Sequence, residues 1–195
     1  MAKQAGWKHK PKTSKPPKGQ SAPLFGRGLT YLQYENTLAY VAAYAEVLVD
    51  PTTGVVQVTR VVVAHDCGLI INPDGLQNQI EGNVIQATSR ALKEEVLFDA
   101  NNVTSTTWAG VPVGNTWSTT YQDGPSYPIL NFTEVPTIEI VLINQPTQPA
   151  WGAGEPVTEV MPATIGNAIY DATGVRLRAL PFTPANVLAA LNASN

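Results

Sequence analysis

A run of small residues ends in a carboxylate at Gly152-Ala153-Gly154-Glu155-Pro156. The glycines let backbone pass close to a bulky ligand, and Pro156 stiffens the exit from the turn. A carboxylate fixed in such a loop can work as a general base, especially where partial burial raises its pKa towards neutrality. From the pentapeptide alone, a surface turn carrying a glutamate is the simpler reading. A second polar run, Gln77-Asn78-Gln79-Ile80-Glu81-Gly82, opens a segment with periodic apolar residues. Its amides either donate to a ligand beside a helix N-terminus or are ordinary first-turn residues. His65, Asp66 and Cys67 are metal-ligand types, but no second His or Cys lies near them in the sequence. A buried strand end fits them better than a zinc or iron site. The chain carries no phosphate-binding glycine fingerprint and no nucleophile elbow.

Several elements must position these groups. The stretch 37–50 (TLAYVAAYAEVLVD) alternates in part and reads as a strand. Asp50-Pro51-Thr52-Thr53-Gly54 supplies turn chemistry, and the β-branched stretch 55–64 (VVQVTRVVVA) returns as its hairpin partner. Asn72-Pro73-Asp74-Gly75 breaks the chain again, with Asp74 as the expected N-cap of a helix running to about Phe98. Ile80, Val84, Ala87, Ala91, Leu92 and Val96 recur at helical spacing and are expected to face a core. Residues 99–135 read as irregular, with room for one short strand, and a loop of this length is usually functional or ordered by a partner. Within it Trp108, Trp117, Tyr121 and Tyr127 either line a substrate funnel or pack against another part of the protein. Residues 137–144 (TIEIVLIN) alternate as a strand; Pro162 or a neighbour opens a helix that ends at Gly174, and Thr183-Pro184 starts a last one over 185–191. The expected class is α+β: an N-terminal β-hairpin, a long helix, a further strand and two C-terminal helices.

Six of the twelve basic residues lie within the first eighteen positions, whereas all fifteen acidic ones lie later, so the body is acidic although the net charge is only −3. Such a body is a poor nucleic-acid binder. Residues 1–27, rich in Lys, Pro and Gly, read as a linker or partner-draped arm, and 28–195 as the folded part. A single cysteine, Cys67, excludes an internal disulfide and any multi-cysteine metal or iron–sulfur site. No apolar run approaches membrane-spanning length, and no apolar segment follows the first lysines as in a secretory signal. A cytoplasmic and a periplasmic location both stay open.

Taken in order, the motifs resemble one family. Asp66-Cys67-Gly68 with Asn72-Pro73, then Gln79-Ile80-Glu81-Gly82, then Glu134-Val135-Pro136-Thr137, then Gly152-Ala153-Gly154-Glu155-Pro156 follow the C-terminal part of xanthine-oxidase-type large subunits. The closing run from Pro162 to Gly174, with Arg176, Arg178, Leu180 and Pro181, is similar to the end of isoquinoline 1-oxidoreductase-type large subunits. The resemblance covers about residues 26–191 and implies a fragment of the molybdenum-binding domain of a molybdenum hydroxylase. It implies that Glu155 is the catalytic base, taking the proton from a molybdenum-bound hydroxyl that attacks an aldehyde or N-heterocycle. It also implies that Gln79, Gly82 and Gly154 contact the cofactor, a molybdopterin expected in its cytosine dinucleotide form and shared with a partner chain. No metal ligand is expected from this chain itself. Family large subunits are several times longer, so the expected partners are the N-terminal remainder of the subunit as a separate chain and a small subunit carrying 2Fe–2S clusters. A catalytically silent truncated homologue, serving as a binding or scaffold module, is the alternative.

Overall fold

The structure, a computed structural model, describes residues 1–7, 21–108 and 127–194. Its frame is a four-stranded sheet in the order β1 (Leu24–Tyr34), β2 (Ala39–Val49), β3 (Val56–Asp66) and β4 (Thr137–Ile143). The first three strands pair antiparallel, and β4 joins β3 in parallel. Helices α1 (Pro73–Leu92) and α2 (Pro156–Thr173) cover one face, and α3 (Pro184–Ala193) follows. The α+β class is as expected, and the hairpin read over 37–64 is β2–β3. Asp50 closes its turn by accepting from the Thr52 backbone at 2.7 Å, and Gly54 takes the left-handed conformation at φ 76°. No helix among the described residues is long and apolar enough to cross a membrane.

The core follows from the two periodicities. Val41, Ala43, Ala45, Val47 and Val49 on β2 and Val61 and Val63 on β3 point to the helices, as period two requires. Ile80, Val84, Ala87 and Ala91 on α1, with Val157, Met161, Ile165 and Ala168 on α2, return the apolar stripes. Each large buried side chain contributes roughly 1.5–3 kcal/mol.

Four expectations are corrected. The strand β1 was not anticipated, and the boundary placed after residue 27 falls inside it. Gly26 and Gly28 lend this stretch a linker composition, but they serve a close approach: a Cβ would stand 2.1 Å from the Ala168 carbonyl at Gly26 and 2.0 Å from that of Thr164 at Gly28. Part of the arm is also packed, since Ala5 is buried and Trp7 meets Tyr44 edge-on at 6.0 Å. Second, the cap of α1 is Asn72, whose side chain accepts from the Gly75 backbone at 3.0 Å, and not Asp74. Third, α1 ends at Leu92 instead of Phe98: Lys93 leaves helical geometry and sends its ammonium to Glu134 at 2.6 Å, which leaves Val96 exposed. Fourth, α2 opens at Pro156, with Pro162 inside it. Pro156 takes the first position, where its missing N–H costs nothing. The stop of α2 at Gly174 and the start of α3 at Thr183 stand as expected, the former with φ 70° and the latter as a side-chain cap.

Side chains of α2 also close the outer edge of β1. Asp171 accepts from the Arg27 backbone N–H at 2.9 Å, Asn167 donates to the Leu29 carbonyl at 3.3 Å, and the hydroxyls of Thr30 and Thr164 are bonded. Gly28→Ala is expected to lower stability in urea unfolding by about 1–3 kcal/mol or more, because backbone cannot yield to the new methyl. Gly152→Ala, where a Cβ meets nothing within 4 Å, serves as the neutral control. Equal midpoints for the two variants would refute this packing of α2 on β1.

Candidate functional site

The loop between β4 and α2 is held along its length. Gln148 bonds back to the Gln145 carbonyl at 3.0 Å, Ala150 bridges Gly68, and the Trp151 N–H donates to the Cys67 carbonyl at 2.8 Å. Gly68 has φ 79°, and a Cβ there would lie 2.0 Å from the Pro149 carbonyl, so only glycine lets the loop come this close to the end of β3. The chain then runs through Gly152 to Gly154 and delivers Glu155 as the residue preceding the first turn of α2.

Two amides hold the last carbonyl before Glu155. Gln79 Nε2 donates to the Gly154 carbonyl at 2.8 Å, and Asn83 Nδ2 donates to it at 3.1 Å. Asn83, buried on the α2-facing side of α1, also donates to the Gln79 carbonyl at 2.8 Å and accepts from the Thr158 hydroxyl. So α1, α2 and the loop are joined at one point. Gln79 and Gly154 stand out in the sequence, and the structure brings them into contact. Asn83 does not; its only signal is its position four residues after Gln79, on the same helix face.

The Glu155 side chain makes no capping bond. Its Oε1 accepts from the Tyr34 hydroxyl at 2.5 Å, and among the described residues Oε2 has no hydrogen-bond partner. That bond, first of all, pushes the Tyr34 phenol up to about 12, with desolvation and the carboxylates of Glu155, Glu35 and Glu159 adding to it. Sequence reasoning does not find Tyr34, since it ends the unanticipated β1. The Glu155 side chain is exposed. It lines a hollow of about 470 Å³ with Tyr34, Glu35, Leu38, Gly152, Gly154 and Pro156. Gly82 stands one turn along α1 from Gln79, exposed, with nothing within 4 Å of a built Cβ.

A second hollow, of about 440 Å³, adjoins the first through Leu38 and is lined by Tyr40, Asp66, Gln145, Gln148 and Trp151. Asp66 serves structure there, accepting from Gly68 N–H at 3.0 Å and Gln145 Nε2 at 3.2 Å. His65 and Cys67 are the buried strand end expected of them. Burial pushes the His65 imidazole down, opposed by Asp66, and pushes the Cys67 thiol up. Among the described residues of the 99–135 region, Tyr127 is held away from Glu155. Tyr127 bonds Glu94 at 2.8 Å, beyond the far end of α1 and about 20 Å of helix from Gln79, and Trp108 is 73% exposed. Trp117 and Tyr121 lie outside the described residues.

The chain is similar to known proteins in sequence and in fold. Residues 5–112 match the molybdopterin cofactor-binding domain model. A nicotinate dehydrogenase chain of Pseudomonas putida is 43% identical over 174 residues, 86% of this chain and 13% of that protein. The beta chain of isoquinoline 1-oxidoreductase from Brevundimonas diminuta is 34% identical over 158 residues, 81% of this chain and 18% of that one. The fold superposes on quinoline 2-oxidoreductase from Pseudomonas putida with a TM-score of 0.62 at 28% identity, covering 79% of this chain and 19% of the other. It superposes on aldehyde oxidoreductase from Desulfovibrio gigas with a TM-score of 0.60 at 31% identity, covering 79% and 15%. The chain therefore spans 13–18% of the length of these curated relatives.

The hydrogen bonds to Gly154 differ in burial, which separates their contributions. Asn83→Ala, at a 5% exposed position, is expected to cost about 1–3 kcal/mol in urea unfolding, since it strands buried partners. Gln79→Ala, at an exposed position, is expected to cost less than about 1 kcal/mol. The reverse order would mean that the clamp on Gly154 runs through Gln79 alone.

Proposed function

The chain belongs to the molybdopterin cofactor-binding domain family, and from this premise we propose that it supplies the C-terminal wall of a molybdenum hydroxylase active site, with Glu155 as general base. The observation that carries the proposal is the presentation of Glu155: its backbone is fixed through Gly154 by two amides, while its carboxylate lines a hollow and Oε2 has no hydrogen-bond partner among the described residues.

The residues present suit such a cofactor. Gly82, Gly152 and Gly154 have open space where a side chain would stand, and the exposed Gln79 carbonyl oxygen Oε1 has no partner among the described residues. Bare backbone beside an amide makes a shelf for a flat group rich in N–H and carbonyl functions, which describes a pterin. We assign Gln79, Gly82 and Gly154 to that contact. When bound, the molybdenum cofactor, in its cytosine dinucleotide form, would supply the two-electron acceptor, from which electrons pass to 2Fe–2S clusters on another subunit. Glu155 Oε2 takes the proton released as a water-derived oxygen attacks the electron-poor carbon of an aldehyde or N-heterocycle. A positioned base of this kind is worth roughly 10²–10⁴-fold in rate. The remaining walls come from the N-terminal part of the large subunit.

Complementation tests this. Supplied in trans to the Pseudomonas putida nicotinate dehydrogenase chain deleted for the matching segment, the protein is expected to restore molybdenum binding and nicotinate oxidation. Glu155→Gln should keep the metal and lose about 10²–10⁴-fold in kcat. Undiminished turnover in that variant would remove the base assignment, and a complex without molybdenum would favour the silent scaffold. Gly82→Ala separates stability from function. In the chain alone it should raise stability by about 0.5–1 kcal/mol, as alanine does in an exposed helix interior. In the complex it should lower molybdenum retention. Full retention would remove Gly82 from the cofactor contact.

A further inference from the structure

The carboxylate of Glu155 has one side-chain partner among the described residues, and it comes from the opposite end of the sequence. Tyr34 and Glu155 are 121 positions apart, yet their oxygens stand 2.5 Å apart. The contact is built by the sheet. Tyr34 is the last residue of β1, and the chain reverses at once through Glu35 and Asn36, whose φ values of 42° and 65° make the tight left-handed turn of a hairpin. The phenol therefore sits on a fixed strand end, on the face that α2 covers. The carboxylate sits at the head of α2, whose own position on β1 is set by the glycine contacts.

We propose that Tyr34 is the positioning residue of Glu155, holding Oε1 so that Oε2 is the one oxygen offered to the hollow as base. This rests on the reading of Glu155 as general base. An unheld carboxylate rotates freely and offers either oxygen in many directions, whereas a base is effective only in the geometry that meets the proton. A phenol is a suitable holder because it keeps its proton throughout the working pH range. The hydrogen bond to Glu155 raises the phenol to about 12, supported by desolvation and by the neighbouring Glu35 and Glu159 carboxylates. The phenol therefore keeps the proton it donates up to about pH 12.

Two measurements test the proposal. In the 195-residue chain, absorbance or NMR titration of Tyr34, identified by its absence in Tyr34→Phe, should give a phenol near 12 that falls toward 10 in Glu155→Gln. This readout needs no cofactor. In the complemented enzyme, Tyr34→Phe keeps the ring and its packing but removes the donor, so kcat should fall about 10- to 100-fold with KM unchanged, and the melting curve should stay in place. A wild-type phenol titrating near 10, or a Tyr34→Phe enzyme with full kcat beside an inactive Glu155→Gln, would overturn the positioning role alone. Full activity in both variants would instead remove the base reading and this proposal with it.

Discussion

The closeness of α2 to β1 is the constraint on which the rest of this structure depends. At Gly26 and Gly28 helix carbonyls occupy the space where strand side chains would be, so the helix rests on bare backbone. That height lets Asp171 and Asn167 satisfy the strand's outer N–H and C=O groups, and it lets the hydroxyls of Thr30 and Thr164 meet. A backbone edge that would otherwise invite pairing with another chain is thus partly closed by the helix lying over it. The same height sets where α2 begins. Its head falls beside the end of β1, where Glu155 meets Tyr34.

The loop itself is irregular but not loose. Its first half is bonded to the backbone at the end of β3, and its second half is bonded through the Gly154 carbonyl to two amides of α1. Glycines serve opposite purposes within this small region. Gly68 is needed because the Pro149 carbonyl fills the place of its Cβ, whereas Gly82, Gly152 and Gly154 face open space. The first kind stabilises the fold. The second kind costs the fold a little conformational entropy, and under the proposed function it leaves bare backbone for the cofactor to approach.

Exposure of Glu155 has a consistent physical meaning here. The chain spans 13–18% of the length of its curated relatives, so a rim residue in this piece lies where further protein surface is expected in a larger assembly. Preorganisation of the carboxylate is already built into the piece. Desolvation, the other ingredient of the base we propose, is not, and would have to come from protein surface closing over the hollow.

Much was legible in the residues themselves. Alternation over 37–64 and 137–144 and the 3.6-residue recurrence from Ile80 to Leu92 identify β2, β3, β4 and α1, because those patterns record burial within a single element. Turn chemistry at Asp50 to Gly54, the helix stop at Gly174 and the helix start at Thr183 are local as well, as is the small-residue loop that carries Glu155. What the tertiary structure decided is whatever depends on two distant segments meeting. The glycines of β1 look like linker residues until α2 is laid on them. Lys93 ends a helix that periodicity would continue, because Glu134 waits 41 positions away. Gln79 and Asn83 meet Gly154 across 75 and 71 positions, and Tyr34 meets Glu155 across 121. Periodicity reports which face of an element is covered, but not by what, so the residue types of the site were visible in the sequence and their partners were not.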